Sequence, residues 1–396
     1  MSTRENLSTQ KIYPIINNDD LLEFRIPPNN KAQIDLGNVM IHFITSTPTV
    51  DENVEIKPQN FFGAKQFSSI EVRINGESVT RKACSNEYFL GQYFQYLSNY
   101  SSDYMTSAFK PSGIYDCVQT TTAQLSTLSE SQKSDFKSSR EGITNSKEYE
   151  ILMNIDTSIF GSNDLMPSNT PIDISFERAN ADLSSILLTD ASVSSTVNKL
   201  KDVYLIVPIV RDENMFQLER NAISKPIKIQ YDDYVIKRFN IPSGSSTVML
   251  NNLLTGKLPP KLFWCIQTAG SYTGSFKSSS TRFCRYNLKQ VSLYIDGEMA
   301  SDFPLTMSET HITIPYVKYL ANTNKLMNGF LSTTIAPSEY NDGNFILSSS
   351  LNDGENGSLS FGFEFDKIIS EDLILITCGV DEKMLKIDQH RNFQLI

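Results

Sequence analysis

The sequence has no apolar run long enough to cross a membrane. The longest one, "VYLIVPIV" at residues 203–210, is far shorter than the roughly 20 residues that a spanning helix needs, and it contains Pro208. The first residues, "MSTRENLSTQKIYP", carry no apolar core after a basic start, so we expect no secretory signal there. We therefore expect a protein without a membrane span.

The sequence is also poor in residues that bind metals or act as nucleophiles. It has three histidines and no H-E-x-x-H pattern, no G-x-S-x-G elbow and no phosphate-binding glycine loop. Its five cysteines are scattered and never spaced C-x-x-C, which favours buried, reduced thiols over a disulfide framework. These cysteines are Cys84, Cys117, Cys265, Cys284 and Cys378. We expect no catalytic residue, no cofactor and no metal.

Positive charge is scarce relative to negative charge. Lys and Arg number 35 against 45 Asp and Glu, for a net charge of -10. Nonspecific coating of nucleic acid needs a concentrated basic face, so that function is not expected, although a local basic patch stays open. The paired acids Asp232-Asp233 and Glu371-Asp372 are predicted to lie at strand edges or turns, where solvation explains them better than catalysis.

What the sequence does contain is apolar residues in a strand-like alternation. Its 396 residues are 40% hydrophobic and 10% aromatic, enough for two or three packed domains. Alternation is clear in "SSIEVRING" and "QVSLYIDG". Asn75-Gly76 and Asp296-Gly297 end these two stretches and predict two-residue hairpin turns, which need positive φ at both positions. These four residues are the structural positions that we single out.

Short matches between the two halves suggest a tandem duplication. "FRIPP" resembles "FNIPS", the two turns resemble each other, and "YFQYLSN" resembles "YVKYLAN", at offsets of 215, 221 and 223 residues. The matches occur in the same order, and the unit of roughly 200 residues has the size of a domain. We therefore expect Gly76 and Gly297, and likewise Tyr96 and Tyr319, to occupy equivalent elements.

Helix is predicted only in insertions. "SNEYFLGQYFQYLSNY" and "IPYVKYLANT" each follow a central hairpin, and long polar stretches follow both, at about residues 101–146 and 322–358. The first polar stretch contains a segment that also fits a helix. Many short strands with helices confined to insertions predict β-sandwiches or jelly-roll barrels, and two copies predict two barrels side by side.

The order of these motifs resembles one family. "FSSIEVRINGESVTRKACSNEYFLGQYFQYLSNY", then "PIDISFERAN" and "KLKDVYLIVPIV", is similar to the double jelly-roll major capsid proteins of Polinton/Maverick elements, adintoviruses and virophages. In that family an x-V-x-[VI]-N-G hairpin precedes a Tyr-rich segment, here residues 72–76 and 93–100. The second half adds "LLTGKLPP", which resembles a G-x-L-P strand entry, and "NLKQVSLYIDGE".

The resemblance implies an all-β fold of two tandem eight-stranded jelly-roll barrels, with short helices and long loops inserted. We assign an N-terminal arm to residues 1–20, the first barrel to 21–200 and the second to 201–396. The implied function is a structural one, in which homotrimers form pseudo-hexagonal capsomers of an icosahedral shell around double-stranded DNA. Its partners would be further copies of itself, penton or minor capsid proteins, and DNA bound without sequence-specific contacts. The location would be the virion of a virus or transposable element, after synthesis in the host cytoplasm and assembly there or in the nucleus.

Two other functions fit the residues alone. One is a two-domain β-sandwich that binds a partner, or serves as an accessory capsid protein, and stays a monomer. The other is an enzyme on a β scaffold, such as a glycosidase, which would need two carboxyl groups facing each other across a cleft at about 5–10 Å.

Overall fold

The structure is a computed structural model of the chain. It describes residues 7–29, 32–51, 53–80, 86–101, 107–115, 120–140, 148–155, 158–162, 164–211, 226–326, 335–341, 343–351, 356–388 and 393–395. Cys84, Cys117 and His390 lie outside these residues. Across the described ranges, every helix is too short or too polar to cross a membrane.

The first half of the chain consists mainly of short strands. They are β1 (Leu7–Ile12), β2 (Ile16–Asn17), β3 (Leu21–Ile26), β4 (Gln33–Asp35), β5 (Met40–Ser46), β6 (Ile56–Pro58), β7 (Phe67–Ile74), β8 (Glu77–Ser78), β9 (Glu148–Asn154), β10 (Leu165–Met166), β11 (Ile172–Arg178), β12 (Ser185–Leu187) and β13 (Lys201–Val210). The helices are α1 (Glu87–Asn99), α2 (Thr122–Ser126), α3 (Glu130–Ser139) and α4 (Ala181–Ser184). Helices therefore lie in the connections between strands.

Eight of these strands form two antiparallel sheets. Sheet A1 has the order β1-β13-β5-β9, and sheet B1 has the order β3-β11-β7-β8. Counted along the chain, these orders are 1-8-3-6 and 2-7-4-5, the arrangement of an eight-stranded jelly roll. The short strands β4 and β10 extend sheet A1, β2 extends sheet B1, and β6 pairs with β12.

The second half is again built mainly of strands, with helices in the connections. Its strands are β14 (Ile227–Ile241), β15 (Thr247–Lys257), β16 (Lys261–Thr268), β17 (Leu288–Ile295), β18 (Glu298–Met299), β19 (Leu305–Thr306), β20 (Ile346–Ser350), β21 (Asn356–Phe365), β22 (Leu373–Ile387) and β23 (Phe393–Leu395). Its helices are α5 (Ala269–Thr273), α6 (Thr313–Asn322) and α7 (Pro337–Tyr340).

These strands repeat the topology of the first half. Sheet A2 has the order β14-β22-β16-β20, and sheet B2 has the order β15-β21-β17-β18. These are again the orders 1-8-3-6 and 2-7-4-5. The prediction of two tandem eight-stranded jelly-roll barrels is therefore confirmed, and α1 and α6 both follow the fifth strand of their barrel.

One of the sequence matches behind that prediction is wrong. Phe24 lies in β3, the second strand of its barrel, whereas Phe239 lies in β14, the first strand of the other barrel. Both matched segments end where a proline follows the last residue of a strand, because proline lacks the N–H that a sheet ladder needs. The two segments match because many strands end in this way. The match therefore does not show that β3 and β14 are equivalent strands.

Strand pairing also differs from the predicted domain limits. The supposed arm at residues 1–20 contains β1, which pairs with β13 along all six of its residues. The strand β13 begins at residue 201, beyond the predicted limit of the first barrel, yet it pairs with β5 of that barrel. Because β1 is polar in sequence, with Ser, Thr, Gln and Lys between its ends, it lacks the apolar alternation that reveals a strand.

Alternating side chains fill each barrel from its two sheets. Phe43 of sheet A1 meets Phe67 of sheet B1 with ring centroids 5.7 Å apart, and Trp264 of sheet A2 meets Phe361 of sheet B2 at 5.0 Å. In β21, buried and half-buried residues alternate from Leu359 to Phe365, as expected for a strand with one face in the core. The cores of the two barrels join into one apolar cluster.

Candidate functional site

The four singled-out residues form the turns between the fourth and fifth strands of each barrel. Asn75 and Gly76 have φ of 53° and 86°, and Asp296 and Gly297 have φ of 51° and 87°. Positive φ at both central residues gives a turn whose twist matches the flanking strands. A Cβ added to either glycine would meet no atom within 4 Å, so the preference for glycine is conformational and not steric.

One contact between the two barrels runs through helix α1. Its residues from Tyr88 to Leu97 are all buried. On one side, Tyr88 packs edge-on against Phe176 of the first barrel, with centroids 5.6 Å apart. On the other side, Phe94 stacks on Phe263 of the second barrel at 6.0 Å. The helix therefore joins the barrels into one block.

Two small features let α1 approach the second barrel closely. A Cβ on Gly91 would lie 3.8 Å from the backbone oxygen of Tyr234 in β14, at ordinary van der Waals contact, so this side of the helix lies directly against that strand. Asn86, at φ 64° just before the helix, donates from Nδ2 to the backbone oxygen of Tyr272 at 2.7 Å. Both contacts hold α1 against residues of the other barrel.

A buried lysine lies beside this helix and bridges the barrels. The Nζ of Lys65 donates to Gln59 Oε1 at 3.0 Å and to Thr281 Oγ1, in the second barrel, at 3.2 Å. Burial, and then the positive charge of Arg140, hold the pKa of Lys65 well below its usual value. Lys65 was not among the residues predicted from the sequence. The available signal was one lysine amid aromatic residues in "FFGAKQF".

The first predicted acid pair, Asp232-Asp233, lies in a strand. Asp232 is within β14, the edge strand of sheet A2, and its partner across the ladder is Glu382 of β22. Both line a groove of about 520 Å³ together with Lys257 and Lys383. Because Asp232 and Glu382 are neighbours on one sheet, they form one wall of the groove and do not face each other across a glycosidic bond.

The other predicted acid pair lies at a turn. The carboxylate of Asp372 accepts a hydrogen bond from the backbone N–H of Ser243 at 2.9 Å. This bond lowers the pKa of Asp372, as expected when a hydrogen bond stabilises the charged form. The role of Asp372 here is to close the connection before β22.

The described cysteines are reduced. Cys265 and Cys378 are buried, Cys284 is half-buried, and none of the three forms a disulfide. Burial raises the pKa of the Cys265 and Cys378 thiols, which keeps them protonated and unreactive. In the ranges given above, no group of three His, Cys, Asp or Glu side chains could hold a metal ion.

Part of the first polar stretch is ordered against both barrels. Helices α2 and α3 begin with capping boxes, at Thr121 with Gln124 and at Ser129 with Gln132. Thr122 donates from its backbone N–H to Lys277 of the second barrel at 2.9 Å and from Oγ1 to Leu187 of the first at 2.8 Å. This stretch thus adds to the contact between the barrels.

Comparison with known proteins identifies the architecture. No protein-family model matches the chain, and no curated protein matches it by sequence. A chain of the Sputnik virophage aligns with a TM-score of 0.67 and 13% identity over 99% of this chain and 88% of that one. The mavirus major capsid protein aligns with 0.59 and 10% identity, over 98% and 90%. A chain of the PBCV-1 virus capsid aligns with 0.54 and 10% identity, over 98% and 96%. At these identities the similarity shows the fold, a double jelly roll.

Proposed function

We propose that this chain, a double jelly roll in fold, is the major capsid protein of an icosahedral virus. The observation that carries the proposal is the pair of barrels with identical strand order, held in one block by α1. Virus capsid chains with the same fold align over nearly the whole length of this one. In this function the protein acts by burying surface between copies and turns over no substrate.

The duplication has a physical use in a shell. Three chains with two similar barrels each present six similar sides, so one block can meet six neighbours under cyclic threefold symmetry. We propose such a homotrimer as the capsomer, within a virion that encloses double-stranded DNA. Penton or minor capsid proteins would occupy the positions of the shell that this capsomer cannot occupy. The order of sequence motifs favours a Polinton/Maverick, adintovirus or virophage source.

Light scattering after size exclusion tests the capsomer. One chain has a mass of 44.6 kDa, so a closed trimer has a mass of about 134 kDa. We expect this mass over a range of protein concentrations, and shells visible by electron microscopy at high concentration. A monomer at every concentration would instead favour the two-domain binding or accessory protein.

Enclosure of DNA needs a separate test. Particles assembled in cells should protect double-stranded DNA from added nuclease, and the protected length should not depend on sequence. Shells that form but protect no DNA would support a capsid and overturn the DNA part of the proposal.

A further inference from the structure

Helix α6 of the second barrel exposes an apolar stripe. Ile314 is 63% exposed and Val317 is 39% exposed, and Ala321 is exposed as well. Their spacing of three and then four residues places all three on one face of the helix. The opposite face carries Tyr319, which is buried in its own barrel. Its ring centroid lies 6.0 Å from that of Tyr340. The exposed stripe is therefore not part of the core of this chain.

The corresponding positions of α1 face the other barrel, where Gly91 and Phe94 are buried and Ser98 is half-buried. The match of "YFQYLSN" with "YVKYLAN" aligns Val317 and Ala321 with Phe94 and Ser98, and the same offset of 223 residues places Ile314 at the position of Gly91. The alignment keeps the helix phase, since Tyr96 and Tyr319 are both buried on the side of their own barrel. The stripe of α6 is thus the counterpart of the face by which α1 binds sheet A2.

That face of α1 lies on the outer surface of sheet A2. Phe94 stacks on Phe263 of β16, and Gly91 lies against Tyr234 of β14. Phe263 points away from the barrel interior, because its neighbour Trp264 points inward to Phe361. Sheet A2 is therefore covered by α1 of the same chain.

The equivalent outer surface of sheet A1 is only partly covered by its own chain, since Tyr13 and Lys11 contact Tyr204 there. It carries His42 and Tyr204, whose rings stack with centroids 4.4 Å apart, opposite to the inward-pointing Phe43. On the same face by strand alternation, three apolar side chains of β5, β9 and β13 remain half-buried. They are Ile44, Leu152 and Ile206.

We infer that the stripe of α6 in one copy docks on the outer surface of sheet A1 in a second copy. The contact repeats, between chains, the contact that α1 makes with sheet A2 within a chain. It is head-to-tail, with different surfaces on the two partners, and such a contact forms a ring when the rotation between copies closes, as in the proposed trimer. This inference rests on the proposed capsomer and adds the surfaces that hold it together.

The test places a charge on each surface and measures mass by light scattering. We expect the double variant Ile314→Asp, Val317→Asp to shift from about 134 kDa to the 44.6 kDa of a single chain. Ile206→Asp, on the opposing surface, should give the same shift. A matched control is Ile368→Asp, because Ile368 is 68% exposed and lies outside both surfaces. It should remain trimeric.

Hydrogen exchange provides a reading that needs no substitution. In the natural protein, amides of α6 should be protected at concentrations that favour the trimer and exchange faster on dilution. A charged α6 variant that stays trimeric, with unchanged exchange in α6, would overturn the docking surface and leave the capsomer intact. A natural chain that is monomeric throughout would overturn both.

Discussion

The two barrels share one topology but differ in what covers their helices. Helix α1 is buried from Tyr88 to Leu97 because the second barrel follows it in the chain and packs on it. Helix α6 occupies the same place after its hairpin, yet Val317 is 39% exposed where its counterpart Phe94 is 1% exposed. The same element is thus core in one copy and surface in the other.

The difference shows that the same helix face has different surroundings in the two barrels. In the first barrel the helix face carries Gly91 and Phe94, which suit a close and permanent contact. In the second it carries Ile314 and Val317, which are apolar and exposed. An exposed apolar stripe is expected where another molecule binds.

The largest expected effect comes from truncating the two matched helix positions. Phe94→Ala should lower the free energy of unfolding by about 3–5 kcal/mol, because it leaves a cavity between the barrels. Val317→Ala should change it by less than about 0.5 kcal/mol at concentrations where the chain is monomeric. Urea unfolding, followed by fluorescence of the single buried Trp264, measures both. Equal changes in the free energy of unfolding for the two variants would contradict the difference in burial between the two helices.

A second contrast concerns the cation buried just before the fourth strand of each barrel. Arg285 lies 3.8 Å from the carboxylates of Glu309 and Asp366, whereas Lys65 donates hydrogen bonds to the neutral Gln59 and Thr281. Because the folded pKa of Lys65 is below that of the unfolded chain, the unfolded state binds more protons between those two pKa values. Stability contributed by this group therefore rises with pH up to about 10.5.

Substitution should reveal that dependence. We expect the difference in free energy of unfolding between the natural chain and Lys65→Met to rise by at most about 1.4 kcal/mol per pH unit in that window. Arg285→Met is the matched control, since a guanidinium stays charged over the same range and should give no such slope. Urea titrations at several alkaline pH values provide the measurement. A flat difference for Lys65→Met would show that the lysine keeps its ordinary pKa.

The smallest expected effect concerns the two hairpin turns, a feature in which the barrels are alike. Gly76→Ala and Gly297→Ala should each cost about 1–2 kcal/mol, because both force a Cβ into the left-handed region at φ of 86° and 87°. Gly270→Ala is the control, since that glycine has open space and lies in helix α5. It should be neutral or stabilising. Unequal costs for the two turns, measured by thermal unfolding, would argue against equivalent hairpins.

Local patterns were sufficient to predict several elements. The Asn-Gly and Asp-Gly turns, the alternation in β7 and β17 and the stripes of α1 and α6 follow from turn chemistry and side-chain period. Long-range pairing was not predictable in the same way. The polar strand β1 pairs with β13 about two hundred residues later. The match between the segments at Phe24 and Phe239 was misleading because the ends of unrelated strands have similar sequences.

The sequence by itself determined two β-rich units, their central turns and the helix after each turn, because these depend on residues close together in the chain. Only the tertiary structure decided which strand pairs with which, where each barrel begins, and that Lys65 lies buried between the barrels. It also decided that one of two similar helices is covered and the other is open. Burial is a property of what packs nearby in space, and two similar segments acquire different surroundings when one lies against a second barrel and the other does not.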